Sequence, residues 1–256
     1  MAARSGVQRV LRATEMMRLK TAGVALEERL RQATRNGALR AAVFGVNDGL
    51  VSNLALIMGV AGANVGRDLI LLTGLAGLLA GAFSMGVGEY LSMRVQREVA
   101  EKALTTEQAE IARDPEGERR ELAAIYQRRG FSTELAERMA AEAMADPLLA
   151  LEAHARDELS IDDQALGSPM AAALSSLGTF SLGASIPLLP YLFTSGSWGL
   201  GLSVVLSLVA LATVGAQTAL LAGRPRVTGA LRMLTLGSGA AALTFAIGSA
   251  LGVQAG

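Results

Sequence analysis

The chain has 256 residues, 51% of them hydrophobic, with a formal net charge of zero and a mean hydropathy of +0.39, high for a soluble protein. Cysteine is absent, which excludes disulfides and thiolate metal sites. The zero balance hides an asymmetry. Residues 94–165 hold 17 of the 23 acids and 10 of the 23 bases, a net of −7, so the remainder carries 13 bases and 6 acids, a net of +7.

Residues 1–37 are polar and arginine-rich, patterned like a surface helix rather than a cleavable signal peptide. Val7, Val10, Leu11, Met17, Leu19, Leu26 and Leu30 interrupt the basic series from Arg4 to Arg35. The segment reads either as a basic amphipathic stretch on the inner membrane surface, against anionic lipid, or as a disordered or tag-like extension.

Residues 38–93 carry the first two of five apolar stretches, at 38–62, 69–93, 170–194, 198–222 and 227–253. Each is long enough for a bilayer core, which needs about 20 helical residues. The first contains Asn47-Asp48-Gly49-Leu50-Val51-Ser52 and then Asn53, placing a carboxylate, two amides and a hydroxyl in an otherwise apolar span. A charged side chain at the bilayer centre costs roughly 2.5–3.5 kcal/mol on insertion scales, so Asp48 marks a candidate site. If span 1 enters from the cytosol near Leu39 and span 2 returns near Met93, Asp48 and Met85 both lie about 13 Å deep at 1.5 Å per residue. Glu89, one turn from Met85 on the same helix face, is nearer the cytosol. Asp48, Met85 and Glu89 then form a ladder for a cation. A carboxylate with a thioether favours a softer divalent transition ion over Mg²⁺ or Ca²⁺. Taken singly, Met85 also reads as core or lipid-facing filler, and Asp48 as a structural hydrogen-bonding group. No acidic residue follows Asp163, so intramembrane carboxylates come only from spans 1 and 2.

Residues 94–168 read as a helical subdomain. One helix continues from span 2 to about Ala112. Asp114-Pro115, a cap followed by proline at the first helical position, opens a second helix to about Arg128, which Gly130 ends. Ser132 or Thr133 caps a third to about Ala145, and Asp146-Pro147 opens a fourth running toward Ser160. Glu107/Glu110 and Glu118/Glu121 are i,i+3 pairs, each able to chelate one side of a cation. Glu98/Glu101 is a third pair, on the opposite helix face. Glu158 lies in the fourth helix with His154 one turn before it. The group is either a metal site or an ordinary solvated acidic face laced with pairs such as Glu118 with Arg119 or Arg120.

Residues 169–256 hold the remaining three spans. Pro187 and Pro190 predict a kink near the outer end of span 3. Gly77/Gly81 and Gly248/Gly252, each four apart, allow close helix approach, within one chain or between subunits. The first 40 residues carry nine basic residues, Arg4 through Arg40, while the loop after span 1 has only Arg67 beside Asp68. The turn after span 3 has none, and the turn after span 4 has Arg224 and Arg226, with Arg232 close by. This alternation predicts a cytosolic N-terminus and acidic subdomain, and an external C-terminus.

Phe44-Gly45-Val46-Asn47-Asp48-Gly49-Leu50-Val51-Ser52-Asn53, Gly88-Glu89-Tyr90-Leu91-Ser92, and Leu151-Glu152-Ala153-His154-Ala155-Arg156-Asp157-Glu158-Leu159 together resemble the vacuolar iron transporter family, over about residues 36–253. The resemblance implies an all-α membrane protein, a homodimer with five transmembrane helices per chain. It implies a helical cytosolic metal-binding subdomain inserted between spans 2 and 3, and export of cytosolic Fe²⁺, often also Mn²⁺, in exchange for protons. The family's transmembrane aspartate and methionine fall on Asp48 and Met85. Its metal-domain glutamates fall on Glu107, Glu110, Glu118, Glu121 and Glu158. Where the family usually has methionine near the last glutamate, this chain has His154, a ligand that still suits Fe²⁺ or Zn²⁺.

The expected function is therefore proton-coupled export of a divalent transition metal, Fe²⁺ with Mn²⁺, Zn²⁺ or Co²⁺ as alternatives. The competing reading is a membrane-anchored metal buffer or sensor without transport. An enzyme is not expected: there is one His, no Cys and no nucleophile motif. No organic cofactor and no nucleic-acid partner are expected. Lys20 and Lys102 are the only lysines, and with the high Ala and Gly content this points to a GC-rich bacterial genome and the bacterial inner membrane.

Overall fold

A computed structural model describes residues 37–161 and 167–255, with side chains to residue 252. The basic N-terminal segment lies outside the described residues. Among those residues the structure is helical throughout, with no strand. They fall into two compact units, one formed by 92–161 with 167–168, the other by 37–91 with 169–255.

The larger unit is apolar and holds α1 (37–62), the first part of α2 (Arg67–Arg113), α6 (Pro169–Ser185), α7 (Leu189–Phe193), α8 (Gly196–Leu221) and α9 (Arg226–Ala255). Four of these, α1, α2, α8 and α9, are long and apolar enough to cross a membrane. The third expected span is divided. Proline has no N–H to donate, so Pro187 ends the regular ladder; α6 stops after 17 residues at Ser185, and the five residues of α7 follow. Ser203, fully buried on α8, donates to the Pro187 carbonyl at 2.6 Å.

Missing side chains set the packing around α1. Ser175 donates to the Ala38 carbonyl at 2.8 Å, Gly49 lies on the Phe180 carbonyl, and Asn53 donates to the Ala184 carbonyl at 2.6 Å, so α6 runs parallel to α1. At the far end Arg67 donates to the Tyr191 and Leu192 carbonyls, tying the start of α2 to the end of α7. Gly248 sits on the Gly59 carbonyl and Gly252 on Ala63, so α9 is also parallel to α1. Both glycine pairs singled out in the sequence pack within this chain: Gly77 faces Leu56 and Asn53, and Gly81 lies under the Phe180 ring.

The smaller unit follows the cap signals closely. Asp114, Ser132 and Asp146 accept hydrogen bonds from the backbone N–H groups of Gly117, Leu135 and Leu148. They open α3 (Pro115–Arg128), α4 (Thr133–Met144) and α5 (Pro147–Asp157). Gly130, at φ +97°, turns the chain out of α3. The last helix ends at Asp157 rather than near Ser160, because Ser160 adopts φ +51° and breaks the right-handed path. Leu122, Ala123, Tyr126, Ala136, Ala140 and Ala153 form the core between these helices.

A methyl group at Gly248 would collide with the Gly59 backbone, whereas one at Gly239 on the same helix meets nothing within 4 Å. Overpacking of this kind costs about 1–3 kcal/mol. Gly248→Ala is therefore expected to lower the unfolding temperature of the purified protein by several degrees, and Gly239→Ala to leave it unchanged. Differential scanning fluorimetry in detergent measures both.

Candidate functional site

Two groups of oxygen acceptors lie in the two units. In the larger unit, Asp48, Ser52, Asn53 and Leu56 on α1, Gly77, Gly81, Ser84 and Met85 on α2, and Phe180 on α6 line a cavity of about 240 Å³. The space exists because Gly77 and Gly81 carry no side chain where α2 faces α1 and α6. Asp48 and Met85, matched in depth by sequence, line this one cavity. Met85 also packs against the cluster of Ala82, Phe180 and Ala184, which holds its thioether in place. Among the described residues no hydrogen bond or ion pair engages the Asp48 carboxylate, so the reading of Asp48 as a structural group finds no partner here. Ser52 turns its hydroxyl back to the Asp48 main-chain carbonyl.

Glu89 is not in that cavity. Its carboxylate pairs with Arg40 of α1 at 3.1 Å, and its side chain is 18% exposed. The expected three-membered ladder is thus an Asp48–Met85 pair in one cavity with an Arg40–Glu89 ion pair beyond it.

In the smaller unit Glu107 on α2, Glu118 on α3, His154 on α5 and Glu158 just past α5 each offer a ligand atom, all within 4.8 Å of one another. Glu107 is 3% exposed and His154 fully buried. His154 Nδ1 lies 2.8 Å from the Ala150 carbonyl, which can only accept, so Nδ1 carries the proton. Its Nε2 lies 3.4 Å from the Glu118 main-chain carbonyl and faces Glu118 Oε2 at 3.7 Å and Glu107 Oε1 at 3.9 Å. Glu107 Oε1 and Glu158 Oε2 are buried without a hydrogen-bond partner. The alternative of a solvated Glu–Arg face fails at Glu118, because Arg119 pairs with Glu116 instead, at 3.1 Å. It holds for Glu98 and Glu101, which pair with Arg94 and Arg97 at 2.5 and 2.7 Å.

Glu110 and Glu121, expected with the others, are exposed and outside the four. Their charge still reaches the site. Burial first, then the Glu158 charge, pushes Glu107 from 4.5 to about 7, with Glu118 and Glu110 adding and His154 opposing. Burial also raises Glu118 and Glu158, and Glu121 contributes to both. Sequence reasoning missed the clamp beside the site. Asp157 accepts from Tyr126 at 3.2 Å and from Arg129 at 2.6 Å, tying the ends of α3 and α5 together next to Glu158. Burial pushes the Asp157 carboxyl up, and hydrogen bonds from Arg156 and Arg129 outweigh it, leaving it below its ordinary value.

A carboxyl that titrates at about 7 in the fold and 4.5 when free binds its proton better in the folded state. It stabilises the metal-free protein fully below pH 4.5, and that contribution is lost as pH rises through about 7. A divalent cation needs the deprotonated form, so apparent metal affinity should rise by about tenfold per pH unit through the same window for the one proton displaced. With chelator, the unfolding temperature should therefore fall between pH 5 and pH 8, and the rise on adding Mn²⁺ should be larger at pH 8. Glu107→Gln should flatten both trends. Thermal unfolding of the full chain across this pH range measures each.

The sequence model of the VIT family matches residues 39–249, which contain every residue of both groups. The chain is 38% identical to Vacuolar iron transporter of Acanthamoeba castellanii over 213 residues, 83% of this chain and 78% of that protein. It is 32% identical to Vacuolar iron transporter 2 of Oryza sativa subsp. japonica, covering 85% and 89%. It is 29% identical to Vacuolar iron transporter 1 of Arabidopsis thaliana, covering 84% and 86%. The protein belongs to the VIT family.

Proposed function

We propose that this protein exports divalent transition metal, Fe²⁺ and also Mn²⁺, from the cytosol across a membrane in exchange for protons. The observation that carries the reading is the open cavity in the apolar unit, lined by the unpartnered Asp48 carboxylate and by Met85. An acceptor pair of carboxylate and thioether in an apolar span suits a divalent transition cation. The same Asp48 oxygens take either a metal ion or a proton, and that competition couples the two fluxes. The four-residue group in the smaller unit captures cytosolic metal: three carboxylates and one imidazole suit Fe²⁺, Mn²⁺, Co²⁺ or Zn²⁺. The buffer or sensor reading accounts for this group but leaves the cavity unexplained.

The proposed topology has five spans, with α6 and α7 together as the third. It is supported by α6 running parallel to α1 from Ala38 onward and by Arg67, at the start of α2, donating to the Tyr191 carbonyl of α7. α9, also parallel to α1, then ends on the side opposite the N-terminus, which the basic residues place in the cytosol. A homodimer in the bacterial inner membrane completes the proposal, resting on the family and on the composition.

Flux into proteoliposomes tests it. Asp48→Asn should abolish Mn²⁺ and Fe²⁺ transport while the protein stays folded and keeps metal bound at the Glu118 site. Glu118→Gln with Glu158→Gln should raise the apparent KM by about tenfold or more, with a smaller loss of maximal rate, since each lost charged ligand costs about a kcal/mol or more. Wild-type flux in Asp48→Asn would remove the mechanism.

A further inference from the structure

Asn53 is 2% exposed on α1, five residues beyond Asp48. Its Nδ2 donates to the Ala184 carbonyl at 2.6 Å. Only the amide N–H₂ can face a carbonyl oxygen, so this bond fixes which end of the amide is which. The Oδ1 end is buried and has no hydrogen-bond partner. A buried acceptor left this way is unusual in a packed helix pair, because most buried polar atoms find a partner. Asn53 lines the same cavity as Asp48 and Met85. Its oxygen is directed at the bare Cα of Gly77, another lining residue, where a Cβ would stand 3.0 Å from Oδ1.

We propose that the Asn53 amide oxygen is a third ligand for the divalent cation in the membrane cavity, and that it sets preference among the metals carried. This rests on the transport reading above. Asp48 and Met85 supply one hard and one soft donor. A neutral carbonyl oxygen adds a second hard donor that no proton can occupy. It holds the ion while Asp48 exchanges metal for proton, and it favours the harder Mn²⁺ over Co²⁺. Gly77 belongs to the same device, because a side chain there would stand against Oδ1. The Ala184 bond aims the oxygen without consuming it.

Two variants separate the ligand role from a structural one. Asn53→Ala removes both the oxygen and the bond to Ala184. Gly77→Ala leaves that bond in place and sets a methyl against Oδ1; its other close neighbour, the end of the Leu56 side chain, can move aside. The full chain is reconstituted in proteoliposomes, and two quantities are read: the KM for Mn²⁺ uptake and the Co²⁺ concentration that halves it. Both variants should raise the Mn²⁺ KM at least fivefold and lower the ratio of the Co²⁺ value to that KM at least threefold. If Asn53→Ala does not fold, Gly77→Ala decides. An unchanged Mn²⁺ KM in a folded variant overturns the proposal. So does an equal rise for both metals, which is what a purely structural asparagine would give. Asp48→Asn in parallel distinguishes the failures: wild-type flux there ends the transport reading itself, whereas its loss with unchanged Asn53→Ala and Gly77→Ala kinetics ends only the role of Asn53.

Discussion

Oxygen acceptors gathered without donors are the constraint on which the rest of this structure turns. Glu107, Glu118 and Glu158 bring three carboxylates to one buried imidazole. In the apolar unit Asp48 and Asn53 line a common cavity, and among the described residues the Asn53 Oδ1 has no hydrogen-bond partner. Such clusters are unfavourable as bare charge, because burial and mutual repulsion act in the same direction. A proton or a divalent cation relieves both, and the two compete for the same atoms. That competition is what the proposed exchange requires.

The scaffold around each group is built to tolerate this. In the apolar unit the stability comes from backbone-to-backbone approach at glycines, with α1 held between α6 and α9 at Gly49 and Gly248. Close packing on those sides leaves the side facing Gly77 and Gly81 open for the cavity. In the smaller unit, side-chain caps fix the three short helices, and the Asp157 clamp to Tyr126 and Arg129 holds α3 and α5 at the spacing that Glu118 and His154 need. The acceptor groups are therefore carried on helices whose positions are set elsewhere.

The helices of the smaller unit were legible from sequence because their signals are local: Asp-Pro at 114–115 and 146–147 and Ser132 each act within one turn. The shared depth of Asp48 and Met85 was legible for a similar reason, as two antiparallel helices meet at positions that rise per residue predicts. What spacing alone misjudged were contacts set by tertiary packing. Glu110 and Glu121 lie three residues from site members, but rotation about the helix axis leaves them exposed, contributing charge rather than ligand atoms. Glu89 sits on the Met85 face, yet Arg40, 49 residues away, takes its carboxylate. The importance of Asn53 depends on the Ala184 carbonyl, 131 residues distant, which no motif reveals. The break between α6 and α7 was announced by Pro187, while the hydrogen bond from Ser203 to the Pro187 carbonyl was not.

The central claim is that metal occupies the membrane cavity as well as the cytosolic group. Anomalous diffraction from crystals of the full chain equilibrated with Co²⁺ tests this most directly. The account predicts two peaks per chain, one among Glu107, Glu118, His154 and Glu158 and one between Asp48 and Met85. A peak at the four-residue group alone, with none in the cavity at saturating Co²⁺, would contradict it.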